Sequence, residues 1–123
     1  MLDDMNGDRG YNGYHAYANS KLANALFANE LARRVPWLTS NSLHPGIVGT
    51  KLLHAAFSMP GEATASGART SVYLATSPEV AKVTGKYFDN CTEVSAAALD
   101  QQLARQLWVW SEDAVSGFFG LDY

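Results

Sequence analysis

Tyr17 and Lys21 are the two residues of this sequence whose types and spacing could carry out proton chemistry. They stand four residues apart in the segment YANSK, and on a helix that spacing puts both side chains on one face, one turn apart. A free tyrosine phenol has a pKa of about 10, and a positive charge within about 4–6 Å favours the phenolate. The pair therefore predicts a general acid or base, with Lys21 as the charge that favours its ionised form.

Coincidence is the competing explanation of this pair. The chain has 6 tyrosines, so a lysine four residues after one of them is a common chance event. The pair becomes a stronger candidate for a functional site only if the surrounding elements would position it.

The best predicted helix runs from about Tyr14 to Val35, contains the pair and ends before Pro36. Residues 1–13 are polar and rich in glycine, which is typical of a loop. An apolar stripe along the helix is expected to face a core. Its members are Tyr17, Leu22, Ala25, Leu26, Leu31 and Val35.

The rest of the chain predicts two strands and two further helices. Thr39–Val48 indicates a strand that runs into a Pro-Gly turn, and Lys86–Phe88 indicates a second strand. The two helices are expected at about 62–76 and after Ser95, which can act as an N-cap, and a short helical turn is expected after Ser77-Pro78.

The order of helices and strands predicts an α/β fold of the Rossmann type. Alternating helices and strands are typical of a doubly wound parallel sheet with crossover helices. Two parallel strands leave both sheet edges open, so such a unit is marginal without neighbours. We expect one partial domain over residues 1–123, equivalent to the C-terminal part of such a sheet and incomplete on its own.

Motifs over nearly the whole chain accompany the Tyr17–Lys21 pair. They are YANSKLANALFANELARRV, NSLHPGIVGTKL, GARTSVYLATSPEVAKVTGKYF and the late LWVWSE. In this combination the sequence resembles the C-terminal half of the short-chain dehydrogenase/reductase family, in particular its retinol-dehydrogenase-like and WW-domain-oxidoreductase-like members. A YxxxK helix followed by a Pro-Gly turn at the next strand's end is more specific than either motif alone.

The resemblance implies an oxidoreductase that uses NAD or NADP and acts on an alcohol or carbonyl substrate. Tyr17 would be the catalytic acid or base, and Lys21 would support it and bind the nicotinamide ribose. Pro45 and Gly46 would form the turn beside the nicotinamide. Ile47 and Val48 would contact its carboxamide through their backbone, and Thr50 would add a hydroxyl. Residues 51–60 would form a lid, and its apolar members Leu52, Leu53, Phe57 and Met59 favour a lipophilic substrate.

Two parts that the resemblance leads one to expect are missing from the sequence. No strand precedes Gly7, Gly10 and Gly13, so they do not form the Gly-rich turn that holds a dinucleotide pyrophosphate. No serine precedes Tyr17, although the family uses one to orient the substrate oxygen. We therefore expect the isolated chain to bind NAD(P) poorly and to be inactive.

Three interpretations stay open at this point. The chain is a piece of a full-length oxidoreductase, or it is completed by another chain, or it is a non-catalytic module that oligomerises. Open sheet edges and uncovered helix faces favour a homo-oligomer or a complementing chain in the last two cases.

Charge and composition exclude several other classes. A net charge of −3 gives no basic field for nucleic acid, and no apolar run reaches the roughly 20 residues of a membrane span. The single cysteine, Cys91, fits a reducing and so cytoplasmic location. No metal site is expected, because His15, His44 and His54 lack companions at ligand spacing. His44 is not expected to be catalytic, because it has no orienting partner in the sequence.

Overall fold

A computed structural model describes residues 2–48, 61, 63–95 and 100–119 of the chain. Its helices are α1 (Gly13–Arg34), α2 (Thr64–Thr76) and α3 (Gln101–Phe119), and its strands are β1 (Ser42–His44), β2 (Tyr87–Asp89) and β3 (Thr92–Val94). Short 3-10 turns occupy Leu2–Asp4 and Pro78–Val80. The described part of the chain is therefore an α/β unit, as the order of predicted elements indicated.

Helix α1 begins and ends one residue earlier than the best helix predicted from the sequence. Its first turn is capped by Asn12, whose side-chain oxygen accepts a hydrogen bond from the backbone N–H of His15 at 3.1 Å. Its last residue is Arg34, and Val35 has left the helical conformation. Pro36 explains this end, because the residue before a proline is pushed out of the helical region.

The sheet has the order β1-β2-β3 and contains one strand that the sequence did not predict. Strands β1 and β2 are parallel, with Leu43 opposite Phe88, whereas β2 and β3 are antiparallel. The hairpin between β2 and β3 turns at Asn90 and Cys91, whose φ angles are 47° and 61°. Such a two-residue turn needs positive φ at both positions, and a cysteine there gave no turn signal.

Two predicted boundaries differ from the structure. The first strand is three residues long, Ser42–His44, rather than running from Thr39. Helix α3 begins at Gln101 rather than after Ser95, because the carboxylate of Asp100 accepts hydrogen bonds from the backbone N–H groups of Gln102 and Leu103. An aspartate is a strong N-cap, and this one was overlooked.

Helices α1 and α3 enclose the main apolar contact of the described residues. Leu26 of α1 packs with Ala104 and Leu107 of α3, and all three are buried. Phe27 and Trp108 stack with ring centroids 5.4 Å apart and nearly parallel planes. The contact between the first and last helices of the chain therefore holds α1 in place.

The predicted apolar stripe of α1 is only partly correct. Leu26 is buried, but Tyr17 is 57% exposed and Leu22 is 39% exposed. The two buried positions of α1 are Leu26, which packs against α3, and the charged residue Glu30 one turn later. Hydrophobicity alone could not locate the face that α3 covers, because α3 lies some 80 residues later in the sequence.

A buried carboxylate near the end of α1 carries an ion-pair cluster. Glu30 is 1% exposed, and its oxygens accept hydrogen bonds from Arg33 Nε at 2.9 Å and from Arg34 Nε at 2.7 Å. The Arg34 guanidinium also lies 4.9 Å from the centre of the Trp108 ring. The hydrogen bond from Arg33 and the second one from Arg34 hold the pKa of Glu30 below its usual range, although burial opposes this.

Replacing Glu30 by Gln is expected to lower the free energy of unfolding by about 1–3 kcal/mol at pH 7, because charged hydrogen bonds are lost in a buried place. A lowered folded-state pKa stabilises the fold at pH values above the unfolded-state pKa of Glu30. That contribution disappears as the pH falls through the folded-state pKa. Urea unfolding from pH 7 to pH 3 should therefore show a flatter pH dependence in Glu30→Gln than in the wild type.

The matched control is Glu93→Gln in β3. Glu93 pairs with Lys86 at 3.3 Å, but both side chains are 51% exposed, so the loss should stay below about 1 kcal/mol. Equal losses for the two variants would contradict the structural role of Glu30.

None of the helices in the described ranges is long and apolar enough to cross a bilayer.

Candidate active site

The Tyr17–Lys21 pair lies on the exposed side of α1. Lys21 Nζ is 5.3 Å from the centre of the Tyr17 ring, so the ammonium group lies against the ring face. Ser20 lies between them in the sequence. Its hydroxyl donates a hydrogen bond to the backbone oxygen of Tyr17 at 2.7 Å, and not to the Tyr17 phenol. The predicted helical spacing thus brings a phenol and a cation together on an accessible surface.

The Pro-Gly turn follows directly after β1. Gly46 has a φ of 81°, in the left-handed region that glycine enters without steric cost. The Gly46 backbone N–H donates a hydrogen bond to Nδ1 of His44 at 3.1 Å. Pro45 and Gly46 therefore lie at the carboxyl end of a parallel strand, which is where open α/β sheets bind ligands.

A polar cavity of 240 Å³ adjoins this turn. Its lining comes from the ends of β1 and β2 and from α2: His44, Pro45, Gly46, Ser66, Arg69, Thr70, Asp89 and Asn90. Tyr17 and Lys21 do not line it. The predicted site residues thus form two groups in the structure, one on α1 and one at the strand end, and Thr50 and the predicted lid at 51–60 lie outside the described residues.

Gly67 of α2 supports the strand-end segment and was not singled out from the sequence. A Cβ atom built on Gly67 would lie 2.4 Å from Cγ2 and 3.1 Å from Cγ1 of Val48. Atoms cannot approach so closely, so the absence of a side chain at Gly67 lets Val48 rest against the helix. The available signal was a glycine inside a predicted helix, which often marks a close approach.

We expect Gly67→Ala to destabilise the chain by about 1–3 kcal/mol, because Val48 must move to make room. The control is Gly117→Ala in α3, where an added Cβ meets nothing within 4 Å. There the better helix propensity of alanine should stabilise the chain by up to about 1 kcal/mol. Thermal unfolding of both variants checks this, and the same sign of change in both would contradict the close approach.

The first turn of α1 does not fit a dinucleotide pyrophosphate. The cavity beside it, of 380 Å³, is lined by Asp3 and Asp4 together with Gly7, Gly10 and Asn12. The hydrogen bond that Arg9 donates to Asp3 is the main cause that lowers the pKa of Asp3 to about 2. Carboxylates beside a helix N-terminus take the place that a phosphate would need.

Among the described residues, no group of three His, Cys, Asp or Glu side chains could hold a metal ion.

Known proteins similar to this chain include dehydrogenases. The chain is 44% identical to retinol dehydrogenase 14 of Homo sapiens, in a match that covers 90% of the chain. It is 38% identical to short-chain dehydrogenase TIC 32 A, chloroplastic, of Brassica napus, again over 90% of the chain. By sequence, the chain belongs to the short-chain dehydrogenase/reductase family.

The WW domain-containing oxidoreductase of Pongo abelii is a further relative, 38% identical over 85% of the chain. The chain spans 38% of the length of retinol dehydrogenase 14, 40% of the Brassica napus protein and 29% of the Pongo abelii protein. No family model matches the chain. The resemblance inferred from the YxxxK and Pro-Gly motifs is therefore confirmed, over less than half the length of these relatives.

Proposed function

We propose that this chain carries the proton-transfer part of an NAD(P)-dependent oxidoreductase that acts on an alcohol or carbonyl group. The observation that carries the proposal is the accessible Tyr17 phenol with the Lys21 ammonium 5.3 Å from its ring centre. Its similarity to named dehydrogenases supports the same reaction class.

Tyr17 exchanges the proton in this proposal. Its hydroxyl gives a proton to the carbonyl oxygen of the substrate in reduction and takes one from the alcohol in oxidation. The positive charge of Lys21 stabilises the negative charge that the phenol oxygen holds in between. Bound NAD(P) supplies or accepts the hydride, and the protein supplies position and electrostatics.

The cofactor residues of the proposal are those at the nicotinamide end. Lys21 would bind the ribose, and the strand-end segment Pro45, Gly46, Ile47 and Val48 would lie beside the ring, with Thr50 adding a hydroxyl. Since α1 begins next to carboxylates, the pyrophosphate needs a nucleotide-binding part from a longer polypeptide or a partner chain. The choice between NAD and NADP belongs to that part as well.

A lipophilic alcohol or carbonyl compound is the proposed substrate class. Its support is the apolar composition of residues 51–60 and the printed name of retinol dehydrogenase 14, which concerns that relative. The proposed location is the cytoplasm, on the strength of a single free cysteine.

A non-catalytic oligomerisation module is the second candidate. The observation that favours it is an apolar surface on α3, where Val109, Trp110 and Val115 are all more than a third exposed. In addition, β1 has a strand partner on one side only among the described strands. Exposed strand edges and apolar patches of this kind favour association with another chain.

The deciding experiment compares the chain alone with a hybrid. In the hybrid, the 123 residues replace the segment that they match in human retinol dehydrogenase 14. We expect the hybrid to oxidise a lipophilic primary alcohol with NAD⁺ or NADP⁺. The chain alone should show no turnover, and calorimetric titration with NADH or NADPH should detect no binding of micromolar affinity. A folded hybrid that is inactive with both cofactors would reject the proposal in favour of the oligomerisation module.

A further inference from the structure

His44 lies where β1 ends and contacts the turn that follows it. The Gly46 N–H donates to its Nδ1 at 3.1 Å, and Gly46 has a φ of 81°. Only Pro45 lies between the acceptor and the donor residue, so the imidazole closes a small ring over the Pro45 peptide. The same geometry is common for Asn and Asp side chains, which accept a hydrogen bond from the backbone two residues later.

This contact requires one form of the imidazole. Nδ1 can accept a hydrogen bond only while it carries no proton, so His44 must be neutral with its proton on Nε2. When the ring takes up a second proton, Nδ1 becomes a donor and the Gly46 N–H loses its acceptor. The geometry of the turn is therefore tied to the protonation state of His44.

The segment after the turn is held at a second point. Val48 rests against Gly67 of α2 so closely that a Cβ atom there would lie 2.4 Å from its Cγ2. Pro45, Gly46 and Ile47 thus run between the His44 contact and the Val48 contact. A backbone fixed at both ends is suited to present its own N–H and C=O groups to a ligand.

We propose that His44 is a positioning residue of the oxidoreductase. Through Nδ1 it holds the Gly46 amide, and so sets the turn that the proposed function places beside the nicotinamide. The inference rests on that proposed function but concerns a residue that takes no part in the proton transfer. Without the imidazole the turn samples other conformations, and the bound nicotinamide loses order.

Two charged groups of opposite sign share the cavity with His44. Asp89 comes from the end of β2, and Arg69 comes from α2, where its guanidinium is hydrogen bonded to the side-chain oxygen of Asn90. Arg69 is thus held at the cavity wall, and Asp89 is opposite His44 in the strand register. Protonation of His44 in this setting breaks one specific contact, that with Gly46.

Nuclear magnetic resonance of the ¹⁵N-labelled chain tests the contact directly. We expect a through-hydrogen-bond coupling between the Gly46 amide nitrogen and His44 Nδ1 at neutral pH, which disappears as His44 is protonated. In His44→Ala the solvent exchange of the Gly46 amide should rise about threefold to tenfold. In His44→Asn it should stay near the wild-type rate, because the Asn oxygen can accept the same bond.

The control is His15→Ala, because His15 lies on α1 and lines the cavity beside the first turn of that helix instead. It should leave the Gly46 amide unchanged. A Gly46 amide that has no coupling to His44 in the wild type, or exchanges equally in all variants, would overturn the inference. The wild-type coupling needs no substitution, so it decides even if one variant fails to fold.

Kinetics of the hybrid then separate this inference from the proposed function. We expect His44→Ala to raise KM for the cofactor and lower kcat/KM about threefold to tenfold, with His44→Asn restoring both. An active hybrid that is indifferent to His44→Ala overturns the positioning role alone. An inactive hybrid whose Gly46 amide still responds to His44 overturns the proposed function instead.

Discussion

Tyr17→Phe in the hybrid is expected to lower kcat/KM for alcohol oxidation by about 10²–10⁴-fold, the usual contribution of a positioned acid or base. The substitution removes a single oxygen atom and keeps the ring against which Lys21 Nζ lies. Because Tyr17 is 57% exposed, stability should change little. The measurement is the initial rate of NADH or NADPH formation at several alcohol concentrations.

Tyr14→Phe is the matched control for this prediction. Tyr14 lies three residues earlier on the same helix and is 77% exposed. It loses the same oxygen atom, so kcat/KM should stay within about twofold of the unsubstituted hybrid, as expected for a surface substitution. Equal losses in both variants would mean that α1 is disturbed as a whole, and equal activity in both would remove Tyr17 from the mechanism.

Leu26→Ala is expected to have the largest effect on stability, a loss of about 2–5 kcal/mol in the free energy of unfolding. Leu26 of α1 is completely buried against Ala104 and Leu107 of α3. Small domains have only about 5–15 kcal/mol of stability in total, so much of it would be lost. Urea unfolding followed by tryptophan fluorescence measures the change, since Trp108 lies at the same helix contact.

Leu22→Ala provides the comparison one turn earlier on α1. Leu22 belongs to the apolar stripe predicted from the sequence, but it is 39% exposed. Its replacement should cost about 1 kcal/mol, less than that of Leu26, because more than a third of Leu22 is already exposed to water. If Leu22→Ala cost as much as Leu26→Ala, the packing of α1 in the structure would be wrong and the stripe read from the sequence would be right.

The two predictions together test separate properties of α1. Tyr17→Phe should strongly lower kcat/KM and leave the fold intact, whereas Leu26→Ala should weaken the fold without touching the reacting atoms. Loss of activity in Leu26→Ala is therefore expected to follow the fraction of unfolded protein and to recover at lower temperature. A loss that persists in the folded protein would indicate that the packing of α1 also aligns Tyr17.

The sequence by itself determined the features that rest on local rules. The YxxxK spacing fixed Tyr17 and Lys21 on one helical face, and Pro36 fixed where that helix ends. Alternating helices and strands gave the α/β class, and the motifs gave the family. The shared helical face and the helix end depend on residues a few positions apart, whose interaction is set by helix geometry.

Only the tertiary structure decided which faces are covered and which residues meet across the chain. The burial of Leu26 depends on α3, and the close approach of Gly67 depends on Val48. The antiparallel strand β3 forms because Asn90 and Cys91 adopt positive φ, for which cysteine has no local preference. Contacts between residues far apart in sequence depend on how the elements pack, and hydrophobic periodicity within one element does not say which neighbour will cover it.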